Sequence, residues 1–201
     1  MGVFRLVIAG VGGQGTLLAS RLIAQSAIDA GLPVKIGETY GMAQRGGPVM
    51  GHIQIGEGAE SSQIRPGEAD VLLGFEIGEA VRQGVQYLKD GGLALVNLRK
   101  FPPVEVISGM MEYPSEDSLL SLLKEVTSDI ITFDATAIAE KAGDAISTNM
   151  VMLGATVESG KLPFDKEIVI AAMRNSIRAT YLETNLSAFK MGQAAYMNYS
   201  K

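Results

Sequence analysis

Gly10, Gly12 and Gly15 stand at the spacing G-x-G-x-x-G within Gly10-Val11-Gly12-Gly13-Gln14-Gly15. The chemistry of that pattern is the close approach of a phosphate to backbone N–H groups that no side chain shields. The apolar run Leu6-Val7-Ile8-Ala9 precedes it, and Leu17, Leu18, Leu22, Ile23 and Ile28 follow at helical spacing, which is the strand–turn–helix setting a nucleotide site requires. A dinucleotide site also asks for an acid about 20 residues on, to hold the ribose, and Glu38 stands near that place. Three features count against NAD. The helix opens with Gly13-Gln14-Gly15-Thr16, Glu38 runs into a second glycine-rich stretch, and no sequence remains for a substrate domain. The same turn is also an ordinary join between a buried strand and a closely packed helix, so a phosphate-bearing ligand and a structural turn both stay open. No Gly-Lys-Ser/Thr follows, so the chain has no Walker loop.

The second stretch, Glu38-Thr39-Tyr40-Gly41-Met42-Ala43-Gln44-Arg45-Gly46-Gly47-Pro48, mixes hydrogen-bonding side chains with glycines, as a contact loop at the carboxyl end of a strand would. The Arg45 fork can pair with a phosphate or carboxylate, and Gln14 can orient a polar group. Equally, both can brace the two loops against each other or against a partner. Other polar residues read as structural. His52, the only histidine, alternates with apolar residues in a strand-like segment and has no neighbouring ligand, so it reads as a packed or edge side chain. Glu76 and Glu79 suit a helix start or a solvated face, and Asp134 suits an N-cap. The ten methionines suit adaptable packing.

These residues need a scaffold, and the hydrophobic pattern supplies one. Strands are expected at Leu6–Ala9, Pro33–Ile36, Val49–Ile55, Ala69–Leu73, Ala94–Val96 and Ile130–Phe133. The first two, closing a βαβ-sized unit, should both be parallel and buried. Helices are expected at 16–30, 76–88 (before a turn at Asp90-Gly91-Gly92), 115–125, 135–142, 149–158, 164–177 and 186–199, with Phe101-Pro102-Pro103 as a break. The expected fold is a three-layer α/β/α sandwich with a Rossmann-like, mainly parallel sheet and a helical C-terminal third, forming one domain over residues 1–201.

Composition narrows the chemistry further. A net charge of −5, from 17 basic and 22 acidic residues, offers no field for nucleic acid or an anionic membrane. With no cysteine, the chain has no disulfide, no thiolate nucleophile and no thiolate-ligated iron–sulfur cluster, so a redox centre must sit on another polypeptide. No basic segment leads a long apolar run at the start, and no run reaches about 18 apolar residues, which gives the expectation of a cytoplasmic protein.

Taken together, the stretches Gly10–Gly15 and Tyr40–Gly47 closely resemble the paired signatures of the gamma subunit, or gamma-type domain, of the pyruvate/2-oxoacid:ferredoxin oxidoreductases. Gly-Met-Ala-Gln-Arg-Gly-Gly is most similar to the wording of the indolepyruvate branch, and Asn149–Ala155 and Ala188–Gly192 resemble the family's C-terminal helices. The resemblance implies a subunit, inactive alone, of an enzyme that converts a 2-oxoacid and coenzyme A into an acyl-CoA, carbon dioxide and reduced ferredoxin. It places thiamine diphosphate and the iron–sulfur clusters on partner subunits and leaves no catalytic residue or metal ligand here. It also implies that this chain touches coenzyme A, or a partner at its approach, through Gly10, Gly12, Gly13, Gln14, Gly15, Tyr40, Gly41, Met42, Gln44, Arg45, Gly46 and Gly47. The same surface can pair two copies into a homodimer when the chain is isolated. The reading from a different class is a stand-alone Rossmann-type nucleotide-binding or redox-sensing protein.

Overall fold

Period-two alternation in the first strand divides the molecule into layers. In the computed structural model, which describes residues 2–40 and 46–199, β1 (Phe4–Val11) sends Leu6 and Ile8 to one face of the sheet and Val7 and Ala9 to the other. The first face is covered by α1 (Thr16–Asp29), α5 (Ala135–Ala142), α6 (Thr148–Glu158), α7 (Lys166–Ser176) and α8 (Ala179–Tyr199). The second is covered by α2 (Ile77–Tyr87) and α4 (Glu116–Lys124). The three-layer α/β/α sandwich expected from the sequence is therefore present, with the C-terminal third as a helical layer on one face.

Six strands form one sheet in the order β2-β3-β1-β4-β5-β6, where β2 is Val34–Tyr40, β3 Pro48–Ile55, β4 Ala69–Gly74, β5 Leu88–Asn97 and β6 Ile130–Phe133. The β1–β4, β4–β5 and β5–β6 pairs are parallel, and β3 alone runs antiparallel to its neighbours. The parallel half reads as continuous apolar sequence because helices cover both its faces.

The first two strands are not neighbours. β3 folds back between them, so β2 lies at the edge of the sheet, and its Lys35, Ile36 and Thr39 are exposed. A charged, half-exposed edge strand resists pairing with other chains, which fits Lys35 and Glu38 being there. Three boundaries also differ from expectation. α2 passes directly into β5, and Asp90-Gly91-Gly92 is an irregularity within that strand, with Gly91 at φ 68° and a register shift against β4. After Phe101-Pro102-Pro103 a short helix, α3 (Val104–Ile107), forms. α8 starts at Ala179, seven residues before the periodicity at Leu186 announces it.

Within the helical layer α6 and α8 meet backbone to backbone. A Cβ built on Gly154 would fall 2.0 Å from the Phe189 carbonyl oxygen, and one on Gly192 would fall 2.0 Å from that of Val151. α6 is buried over most of its length, and this close approach to α8 lets it fill the space above β5.

Candidate functional site

Strand register brings the carboxyl ends of β1, β2, β4, β5 and β6 to one edge of the sheet. Val11 pairs with Pro48, Tyr40 with Val49, Ala9 with Gly74, Gly74 with Val96, and Asn97 with Phe133. In open α/β sheets this is the edge where ligands bind. It gathers the glycine turn, the end of the second glycine stretch, and the chain following β4 and β5.

The glycine turn is held from three sides. Its own Gln14 folds back so that Oε1 accepts from Val11 N–H at 2.8 Å, while Nε2 donates to the Phe75 carbonyl at 3.2 Å. That carbonyl also accepts from Asn97 Nδ2 at 3.0 Å, and Asn97 Oδ1 accepts from Ala135 N–H at 2.9 Å. One polar chain thus joins β1, β4, β5 and the start of α5. Gly10 leaves room for the Gln14 carboxamide, since a Cβ there would lie 2.8 Å from Oε1 and 2.9 Å from Phe75 Cβ. Gln14 therefore spends one polar contact from each end of its carboxamide on bracing.

The second side is the other glycine motif. Gly12 N–H donates to the Gly47 carbonyl at 2.8 Å, and Gly46 N–H returns to the Gly12 carbonyl at 3.4 Å. The end of the second signature, Gly46-Gly47, is thus stitched to the glycine turn through backbone where no side chain stands in the way. Gly13 is exposed at φ 105°, and Gly46 is exposed at φ 77°. Tyr40 ends β2, while Gly41, Met42, Gln44 and Arg45, with the Tyr40 side chain, lie outside the described residues.

The third side comes from the C-terminal layer. Gly15 caps α1 at φ 76° and has no side chain to satisfy the first-turn N–H groups. Asn149, in the first turn of α6, packs directly on it. Its Nδ2 donates to the Gly15 carbonyl at 3.3 Å, and a Cβ at Gly15 would come within 2.4 Å of that nitrogen. Asn149 Oδ1 is buried and meets no hydrogen-bond partner among the described residues.

Beside the turn, Glu76 is a buried carboxylate whose contacts join the start of α2 to the chain that follows β5. Oε2 accepts from Glu79 N–H at 2.7 Å as the N-cap of α2, and Oε1 accepts from Phe101 N–H at 3.2 Å and from the Tyr113 hydroxyl. Burial, then the bond to Glu76, pushes the Tyr113 phenol well above its ordinary value, so it stays a donor. Glu79 instead forms an exposed ion pair with Arg82 at 2.5 Å. Asp134 caps α5 by accepting from Ala137 N–H at 2.9 Å. His52 is buried, its Nδ1 accepts from Ile64 N–H at 3.3 Å, and its ring packs edge-on against Tyr87 at 4.9 Å. Burial lowers its pKa.

Among the described residues, the polar side chains at this edge are spent on bracing and capping. Among the described residues no group of three His, Asp or Glu side chains can hold a metal ion, and the chain has no cysteine for an iron–sulfur cluster. Geometry also counts against a dinucleotide. Because β3 intervenes, Glu38 stands two strand spacings, roughly 10 Å, from β1 at Ile8 instead of one, and the glycine turn lies beyond that point. What the edge offers is glycine-lined backbone and a helix start. No helix among the described residues is long and apolar enough to cross a membrane.

The contributions of Asn97, Phe75 and Asn149 were not read from the sequence. An amide closing the apolar run Leu93–Val96 was the available signal for Asn97, whereas nothing local marks Asn149 as the neighbour of Gly15.

Comparison with known proteins gives this edge a context. The family model described as "Pyruvate ferredoxin/flavodoxin oxidoreductase" matches residues 5–195. The chain is 41% identical over 187 residues to the indolepyruvate oxidoreductase subunit IorB of Archaeoglobus fulgidus, covering 93% of this chain and 92% of that one. Against the 2-oxoglutarate synthase subunit KorC of Methanothermobacter marburgensis it is 29% identical, covering 96% and 97%. Among solved structures, the gamma subunit of a keto/oxoacid ferredoxin oxidoreductase from Geobacter sulfurreducens superposes with a TM-score of 0.69 at 25% identity, over 97% of this chain and 99% of that one. With the family model covering nearly all of it and relatives matching end to end, the chain belongs to the pyruvate ferredoxin/flavodoxin oxidoreductase family, as a member of its gamma type.

Proposed function

We propose that this chain is the small subunit of an indolepyruvate-type 2-oxoacid:ferredoxin oxidoreductase, and that the stitched glycine edge faces the partner polypeptides at the approach to the reacting centre. The observation that carries the substrate class is the identity gradient. Near-full-length likeness is 41% to an indolepyruvate subunit but 29% to a 2-oxoglutarate subunit and 26% to a pyruvate/ketoisovalerate subunit. The net reaction takes a 2-oxoacid anion, coenzyme A and two oxidised ferredoxins to an acyl-CoA, carbon dioxide, two reduced ferredoxins and a proton. Thiamine diphosphate supplies the decarboxylation chemistry when bound, and iron–sulfur clusters carry electrons singly; both belong to partner subunits, in keeping with a chain that has no cysteine.

This chain's own part is recognition. Exposed glycine backbone at Gly13 and Gly46, on either side of the stitched Gly12–Gly47 pair, gives close access to a phosphate-bearing group such as coenzyme A. Arg45 supplies the charge, pairing with a phosphate or carboxylate. Cytoplasmic placement is part of the same proposal.

The test is to purify the tagged chain from its native cells and assay the eluate for thiamine diphosphate, iron and 2-oxoacid-dependent reduction of a low-potential dye. Indolepyruvate should give the highest turnover among indolepyruvate, 2-oxoglutarate, pyruvate and branched-chain 2-oxoacids. A solitary, cofactor-free chain that binds NAD would overturn the reading in favour of a stand-alone nucleotide-binding protein. In the assembled enzyme, Arg45→Ala should raise the KM for coenzyme A or lower turnover; unchanged kinetics and assembly remove Arg45 from the site.

A further inference from the structure

Between β5 and α4 the chain makes an excursion whose large apolar side chains turn outward. Phe101 is 44% exposed, Val104 and Ile107 74% each, Met110 78% and Met111 63%. At about 180 Å² per side chain, this is roughly 600 Å² of apolar surface within eleven residues. That is the upper end of what the largest patch on a monomer shows, and it approaches the ~800 Å² per partner of a standard interface.

The excursion is also pinned at both feet. The buried carboxylate of Glu76 accepts from Phe101 N–H at 3.2 Å and from the Tyr113 hydroxyl, so a single residue of α2's cap closes the loop. A segment held this way before binding loses less entropy when it docks.

We propose that residues 101–111 form the docking surface for the large, thiamine-diphosphate-carrying polypeptide of the same enzyme; this rests on the function proposed above. Position selects that occupant. The excursion leaves the carboxyl end of β5, on the same edge as the glycine unit, and a Cβ at Gly46 would lie 3.6 Å from Phe101 Cε1. The surface is therefore continuous with the glycine edge. A second copy seated there would cover that edge with another chain lacking a reactive group, whereas the large polypeptide brings one to it.

Val104→Glu/Ile107→Glu tests the surface, because both side chains point to solvent and their replacement leaves the fold of the free chain intact. Ile146→Glu, at an 81% exposed position in the helical layer, is the control. Each chain is co-expressed with the large polypeptide, and association and turnover are measured. The double variant should bind at least about thirtyfold more weakly, as loss of a hot spot does, while the Ile146→Glu chain binds as wild type. Wild-type association together with undiminished association of the double variant overturns the surface and leaves the function standing. The same holds if the double variant loses only a self-dimer of the isolated chain, which would assign the face to a second copy. Failure of the wild-type chain itself to associate overturns the function, and the surface with it.

Discussion

Gln14 binds the glycine turn to the end of the adjacent parallel strand: its Nε2 donates to the Phe75 carbonyl at 3.2 Å while its Oε1 accepts from Val11 N–H at 2.8 Å. The residue that a ligand-centred reading would aim outward is instead a strut between β1 and β4. Gln14→Ala should cost about 2 kcal/mol, from a part-buried amide left without its acceptor and a lost bond to Phe75. Gln14→Met keeps the length and should cost nearly as much. Urea unfolding of the free chain checks both, and a Met variant as stable as wild type would show that packing, not polar bracing, is what Gln14 provides.

Gly15 and Asn149 should behave as a coupled pair. Alanine at residue 15 must adopt φ 76° and displace an amide 2.4 Å from its Cβ, for a loss of about 3 kcal/mol. In an Asn149→Ala background the amide is absent, and the same substitution should cost only about 1–2 kcal/mol, the conformational part. A double-mutant cycle of denaturant midpoints measures the difference. Strict additivity would mean that the two residues do not meet in solution.

For the helix pair, propensity and packing forecast opposite signs. Exchanging a mid-helix glycine for alanine favours an isolated helix by about 1 kcal/mol. At Gly154 or Gly192 the new methyl would fall 2.0 Å from a carbonyl of the facing helix, so α6 and α8 must separate, costing about 3 kcal/mol or more. Thermal melts decide between them; a raised Tm for either variant would contradict the backbone contact.

His52 should make stability depend on pH. Burial holds its folded pKa below the ordinary 6.5, and Nδ1 must stay unprotonated to accept from Ile64 N–H. The unfolded chain therefore binds a proton first as pH falls below about 6.5, and stability declines from there down through the lowered folded pKa, with a slope of up to about 1.4 kcal/mol per pH unit. Above about pH 7 this contribution is level. The slope between pH 6.5 and 5 should be shallower in His52→Gln, which keeps an acceptor but no titrating group. Parallel curves for the two proteins would show that His52 does not titrate differently on folding.

Local pattern was enough to place most elements. Leu6–Ala9 followed by glycine, Ala69–Leu73 and Ile130–Phe133 each carry their strand signal in a few consecutive residues, and Asp134 announces α5 because an N-cap acts within three residues. The two glycine motifs were legible for the same reason: each is a short stretch whose composition has few other uses. Strand order was not. That β3 enters between β1 and β2 depends on which edges pair after the chain returns, and Val49–Ile55 looks the same whichever neighbours it takes. The site's supports are equally non-local. Asn149 reaches Gly15 across 134 residues, Asn97 reaches Phe75 across 22, and Glu76 reaches Phe101 and Tyr113 across 25 and 37. The sequence by itself determined where backbone could come close, because glycine and apolar periodicity act through the residue and its neighbours. Only the tertiary structure decided what comes close to it, because a buried polar group takes its partner from whichever distant segment packing delivers.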